Sequence, residues 1–210
     1  MCTDNCGGTI LDANHVLTAA HCVGGKNLSD IVITAGVHYR LSNETEARQM
    51  RQVDRLYMHP DWEPSTMGND LALLRLDRPV EFNKYVQPVC LPVAEPQTNA
   101  DVVLTGWGAE ALGGGLFDEL KQAQVKVIGD CGRYWNLFDE KIQLCVGQTV
   151  SGDSACQGDS GGPLVQEFNG QWVLQGVTSY IGDCKTNENY APNVYSKVFN
   201  YVPWIKSIIG

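Results

Sequence analysis

Cys156-Gln157-Gly158-Asp159-Ser160-Gly161-Gly162-Pro163 is the stretch around which the rest of the chain is arranged. A serine stands between an acidic residue and two glycines, with a further glycine two positions upstream. Such a segment can bend sharply, hold a hydroxyl outward and aim bare backbone N–H groups at one point. Those are the parts of an acyl-transfer site: a nucleophile beside an oxyanion hole. The plain structural alternative is a glycine-rich turn carrying an incidental serine. A serine hydroxyl is a weak nucleophile without a base, so the reading depends on a histidine and a carboxylate elsewhere.

The histidines are His15, His21, His38 and His59. His21 lies in Leu17-Thr18-Ala19-Ala20-His21-Cys22, where small alanines allow close backbone packing and the cysteine can pin the ring. Taken alone, a histidine in an apolar segment reads as a satisfied core residue. Asp70 heads the run Leu71-Ala72-Leu73-Leu74. A carboxylate at the head of a buried strand needs a hydrogen-bonding partner, and an imidazole N–H would serve. Alone, it reads as a strand cap. Together the three supply base, orienting acid and nucleophile in the order His21, Asp70, Ser160, which is the chymotrypsin order and not that of subtilisin or the α/β-hydrolases.

Around these residues, short β-rich runs recur between turn residues: Ile31 to Ala35, Gln52 to Met58, Leu71 to Leu76, Val102 to Trp107, Gln122 to Ile128, Trp172 to Tyr180 and Val194 to Val198. Several alternate apolar and polar residues as half-buried antiparallel strands do, and long helical patterns are absent, so the chain reads as all-β. At its end, Tyr201 to Ile209 reads as one short amphipathic helix, with Pro203 in the first turn and Ile205, Ile208 and Ile209 on one face. The proline-rich segment from Gln87 to Gln97 is the expected linker between two halves, and Gly113-Gly114-Gly115 marks a surface loop.

The 210 residues suffice for one large all-β unit or two small barrels, and the formal charge of −9 argues against nucleic acid and anionic membrane surfaces. No apolar run approaches the roughly 20 residues that span a bilayer. Eight cysteines indicate disulfides and an oxidising compartment; the nearest thing to a metal site, Cys2 and Cys6 with His21-Cys22, fits no common zinc spacing. Sequons at Asn27 and Asn43 fit a secreted, glycosylated surface. Met1-Cys2-Thr3-Asp4 is no signal segment, so the chain is expected to be a piece of a longer secreted precursor.

Thr18-Ala19-Ala20-His21-Cys22, Asp70-Leu71-Ala72-Leu73-Leu74, Gly106-Trp107-Gly108 and Gly158-Asp159-Ser160-Gly161-Gly162-Pro163 resemble the signature segments of the chymotrypsin-like (trypsin-like, S1) serine proteases, as do Cys6-Gly7-Gly8-Thr9-Ile10 and Pro88-Val89-Cys90-Leu91-Pro92. The resemblance runs from about Cys6 to the last residue. It implies two antiparallel six-stranded β-barrels with a short C-terminal helix and a site in the cleft between them. Residues 1–92 would form the first barrel, lacking its first strand and carrying His21 and Asp70. Residues 97–210 would form the second, carrying Ser160 and the specificity pocket, the two making one peptidase domain.

By the same resemblance His21 is the general base, Asp70 orients and stabilises the imidazolium, Ser160 is the nucleophile, and the N–H groups of Gly158 and Ser160 form the oxyanion hole. Ser179 would sit beside Asp70, and Ser179-Tyr180-Ile181 would pair with the substrate backbone. Disulfides are implied for Cys6–Cys22, Cys131–Cys145 and Cys156–Cys184, with Cys2 and Cys90 left over and their pairing open. The pocket floor falls on Ser154, which lacks the charge that trypsin-type cleavage needs, and the walls on Ile181 and Asn193. That shape implies small or medium uncharged P1 residues, an elastase-like preference; a chymotrypsin-like preference is the alternative, and Asp183 near the mouth, which could attract a basic residue, keeps a broad preference open. Asp159 would receive the ammonium freed by activation cleavage. No segment of that kind precedes Cys6, so a zymogen-like state or a non-catalytic binding module is the competing expectation. Val37 occupies the position where a calcium loop would begin, so neither metal nor cofactor is implied. The expected partners are protein or peptide substrates, with protein protease inhibitors a further class the family allows, and the expected state is a secreted monomer.

Overall fold

The computed structural model describes residues 5–42, 47–149, 152–182, 184 and 191–210. Among these, two antiparallel sheets carry the fold. The first contains β1 (Thr9–Ile10), β2 (His15–Thr18), β3 (Val32–Ala35), β4 (Gln49–Met58) and β5 (Ala72–Leu76), ordered β1-β2-β5-β4-β3 and left open as a half-barrel. The second contains β6 (Asp101–Gly106), β7 (Lys121–Ile128), β8 (Gln143–Val146), β9 (Pro163–Phe168), β10 (Gln171–Tyr180) and β11 (Asn193–Lys197), closed as a barrel in the order β10-β11-β8-β7-β6-β9. Closure leaves no unpaired edge, as a sheet of this size requires to protect its backbone donors.

The predicted strands lie within a few residues of β3, β4, β5, β6, β7, β10 and β11. Strands β1, β2, β8 and β9 were not anticipated. β8 is buried at all four positions, and so short an apolar run has no periodicity by which to distinguish strand from helix. β5 is nearly as buried, because β2 and β4 flank it on both sides. In β4 the alternation is broken by a bulge between Val53 and Arg55, beside which Arg75 reaches across to grip both oxygens of Asp54 at 2.8 and 2.6 Å.

The helix at the end of the chain is α2 (Val202–Ile209). Eight residues form too short a helix to persist by themselves, so its existence rests on packing. Ile205 is fully buried, and Trp204, Ile208 and Ile209 lie partly buried against the core built on β2 and β5. That core also takes in Leu174, Val177, Val198 and Tyr201 from the second half of the sequence. The proline-rich segment is tied between the sheets: Val89 N–H donates to Ile10 O (3.1 Å), Cys90 N–H to Trp172 O (3.0 Å), and Leu174 N–H to Cys90 O (2.9 Å).

Disulfides join Cys6 to Cys22, Cys131 to Cys145 and Cys156 to Cys184, the three bridges implied by the family likeness. Cys90 is exposed and unbridged among the described residues. Cys2, Asp183 and the Asn43 sequon lie outside them. Among the described residues, no helix is long and apolar enough to cross a membrane.

Candidate active site

The region around Asp70 is built from the backbone outward. Asn69 adopts a left-handed conformation (φ 54°), one that Asn tolerates better than most residues, and its side-chain amide donates to Asp61 O at 2.9 Å. The kink points Asp70 inward at the head of the buried strand. Its main-chain oxygen accepts the Ser196 hydroxyl at 3.0 Å, so the residue is fastened at backbone and side chain alike.

Asp70 has no solvent exposure, yet its carboxylate is fully engaged. Oδ2 accepts from His21 Nδ1 at 2.7 Å and from the Ser179 hydroxyl at 2.5 Å, while Oδ1 accepts from the His21 backbone N–H at 2.9 Å. Three donors compensate for the water the carboxylate has lost, which is what a buried charge requires. His21 sits in the single helical turn α1 (Ala20–Val23), whose Ala19 and Ala20 are fully buried and small enough to bring the ring up to the strand carrying Asp70. The imidazole keeps about a quarter of its surface exposed, with Nε2 3.8 Å from the Cys22 sulfur of the neighbouring bridge. Cys6, His21 and Cys22 bring three ligand-type atoms together, but both sulfurs are committed to the Cys6–Cys22 disulfide, so no thiolate pair is present to hold a metal.

Ser160 lies in the turn that precedes β9. Its carbonyl accepts from Gly7 N–H (2.7 Å), and the next N–H, of Gly161, donates to Thr178 O (2.8 Å), which ties the segment to both halves of the chain. No hydrogen bond joins the Ser160 hydroxyl to His21 among the described residues. Gly158 takes φ +99°, a conformation that a side chain at this position would strain. Neither the Gly158 nor the Ser160 N–H donates to another described residue.

Asp159 is buried, 7% exposed, beneath the same turn. Instead of standing without a partner, it receives Gly108 N–H on Oδ1 (2.8 Å) and Cys156 N–H on Oδ2 (2.9 Å). Gly106 and Gly108 allow this, because a Cβ on either would overlap the carboxylate. Burial still pushes the Asp159 carboxyl above its ordinary range, the two N–H groups only opposing the shift. A cavity of about 470 Å³ opens beside Asp159, lined also by Ser154, Phe117 and Leu104.

The residues expected at the pocket are grouped as follows. Ser154 Oγ donates to Cys184 O (3.2 Å). Asn193 is fully buried at the start of β11; its amide donates to Ala155 O (3.1 Å) and accepts from Gly182 N–H (3.4 Å), bracing those two segments against each other. Ile181 packs on the Cys156–Cys184 bridge. The Tyr180 side chain instead meets Gln143 (3.4 Å) and the edge of Trp135, and burial pushes its phenol up to about 12. Its share in a substrate site is therefore confined to its backbone. Sequence reading missed Asn69 and Ser196; a turn asparagine and a strand serine carry no local signal of a partner 126 residues away.

Comparison with known proteins adds the family. The Trypsin family model matches residues 2–205, nearly the whole chain. The chain belongs to the trypsin family of serine endopeptidases. Among its relatives, chymotrypsin-like elastase family member 1 of Canis lupus familiaris is 37% identical over 216 residues, covering 98% of this chain and 81% of that protein. The Felis catus protein of the same name is also 37% identical, with 79% of its length covered. Serine protease filzig of Drosophila melanogaster is 36% identical over 219 residues, but this chain spans only 13% of its length.

Proposed function

We propose that this trypsin-family chain is a secreted endopeptidase that cleaves peptide bonds through an acyl-enzyme, with His21 as general base, Asp70 as its orienting acid, Ser160 as nucleophile and the Gly158 and Ser160 N–H groups as oxyanion hole. The observation that carries the reading is the 2.7 Å bond from His21 Nδ1 to the unexposed carboxylate of Asp70. That bond fixes the proton on Nδ1 and leaves Nε2 as the lone-pair acceptor. As Ser160 Oγ bonds to the scissile carbonyl carbon, its proton passes to Nε2, and the buried negative charge beside the ring favours the imidazolium. The carbonyl oxygen, now an oxyanion, takes the two free N–H groups, each worth about 3–4 kcal/mol. Collapse expels the amine, which takes the proton from Nε2, and water repeats the sequence to free the acid.

The two halves, 1–92 and 97–210, would contribute the base with its acid and the nucleophile with its pocket. Ser154 brings no charge, Asn193 is locked across the pocket by two hydrogen bonds and Ile181 is backed by a disulfide, so small to medium uncharged P1 residues fit best. An ammonium released by upstream cleavage would enter the cavity beside Asp159. Three disulfides and the exposed Asn27 sequon support an extracellular, glycosylated protein. The test is fluorophosphonate labelling of the full natural chain read by mass spectrometry. A single adduct on Ser160, lost in His21→Ala, is expected. Absence of an adduct after activating cleavage would leave a binding module in the enzyme's place.

A further inference from the structure

The proposed hydrolysis produces two ends, and the structure distinguishes the sides on which they leave. The Ser160–Gly161 peptide is trans, like every peptide in the described chain, so its C=O and N–H point in opposite directions. The C=O faces Gly7 and the N–H faces Thr178. Asn5-Cys6-Gly7 and Thr178-Ser179 therefore flank the nucleophile from opposite sides. If the acyl half of a substrate pairs with Ser179-Tyr180-Ile181, the leaving half departs over Asn5 and Cys6.

On that side a cleft of about 280 Å³ runs outward from Gly158, between Trp107 and Leu116, to Arg40 and Arg48. Among the described residues, no carboxylate lines it. This is an unusual concentration of positive charge for a chain with 24 acidic and 15 basic residues. Among the described residues, the neighbouring acids Asp118 and Glu119 are occupied elsewhere. Asp118 Oδ1 accepts the Leu41 backbone N–H (2.6 Å), and Glu119 is shared by Lys121 (2.5 Å) and His38 (3.5 Å). Neither Arg40 nor Arg48 forms an ion pair among the described residues. Both contact backbone oxygens only: Arg40 Nε reaches Phe117 O (3.4 Å), and one terminal nitrogen of Arg48 reaches Arg40 O (3.1 Å) and Tyr39 O (3.4 Å). Arg48 Nε is buried with no partner in the described structure.

The wall bearing these cations is preorganised. Arg40 N–H donates to Asp118 O (2.7 Å), Leu120 N–H to His38 O (2.8 Å) and Trp107 Nε1–H to His38 O (3.0 Å), fastening the loop to its neighbour before any ligand arrives. Two guanidinium groups on a fixed wall, one with a buried unsatisfied donor, are suited to a carboxylate.

Resting on the protease reading, we infer that the Arg40–Arg48 cleft is a leaving-group subsite that selects substrates with Asp or Glu a few residues past the scissile bond. An extended chain advances about 3.3 Å per residue, which puts P2′ or P3′ within the cleft. The test uses the full natural chain, activated, on internally quenched peptides with Ala at P1 and one Glu or Lys walked from P1′ to P4′. The readout is the Glu/Lys ratio of kcat/KM at each position, which normalises itself within any variant. The expected ratio is about 3- to 10-fold at P2′ or P3′ and near one at P4′, falling toward one in about 1 M NaCl, where the Debye length is about 3 Å. Arg40→Glu should invert it, and Arg48→Gln should lower it. An active enzyme with a ratio of one throughout overturns the inference alone, as does a preference that neither variant changes. A chain that cleaves none of the peptides overturns the protease reading and this subsite with it.

Discussion

Gly108→Ala should disable Ser160 without touching it. The added methyl would overlap the Asp159 carboxylate, which must then swing out of its cradle. It would forfeit the bonds from Gly108 (2.8 Å) and Cys156 (2.9 Å). Hydrogen bonds to charged groups are worth about 1.5–3 kcal/mol each, so the loss of two is about 3–6 kcal/mol while the carboxylate stays buried. The backbone cannot stay still in compensation, because Asp159 N–H donates to Cys156 O (3.0 Å) and Asp159 O accepts Gly162 N–H (2.9 Å) in the turn that aims the Gly158 and Ser160 N–H groups. Losing one such donor costs about 10²–10³ in rate. The assay pairs the fluorophosphonate labelling rate at Ser160 with a urea melt. Gly115→Ala, where the new methyl meets nothing within 4 Å, is the control and should match the parent in both. A folded Gly108→Ala protein labelled at the parent's rate would refute the cradle argument, because the carboxylate and the turn would then be independent.

Asn193→Gly removes the amide that bridges Ala155 and Gly182, so the pocket should deepen and the Phe/Ala preference at P1 should rise about tenfold or more, at a cost of about 0.5–1 kcal/mol for a glycine in a strand. A P1 profile identical to the parent's would show that Asn193 does not limit the pocket. In the 210-residue chain, burial holds the Asp159 carboxyl above its ordinary value of 3.8. The folded protein therefore binds this proton more tightly than the unfolded one, and stability falls as pH rises from the unfolded value through the folded one. Asp159→Asn should lack that fall in urea melts taken at increasing pH from the ordinary value of 3.8 upward. Parallel curves for the two proteins would discount the burial. An ammonium seated in the cavity would reverse the sign.

Local residues made the all-β class, the C-terminal helix and the motif around Ser160 legible, because alternation and turn chemistry are short-range properties. The alternation over Gln122 to Ile128 is enough to mark β7, and the spacing of Ile205, Ile208 and Ile209 marks the buried side of α2. β8 and β9 were not legible. The first is four buried residues in a row, and the second opens on Pro163 directly after the glycine turn, so the barrel and not the residue pattern makes them strands.

The sequence by itself therefore determined which residue types could do chemistry and in what order, since His21, Asp70 and Ser160 each sit in a distinctive local frame. Only the tertiary structure decided their partners. It brings the Ser196 hydroxyl to the main-chain oxygen of Asp70 across 126 residues, and it gives Asp159 two backbone donors, from Gly108 and Cys156, that no local pattern announces. The physical reason is that removal from water makes a pairing obligatory but leaves the partner unspecified. A buried carboxylate must find donors, and which ones it finds depends on which strands the sheets set beside it.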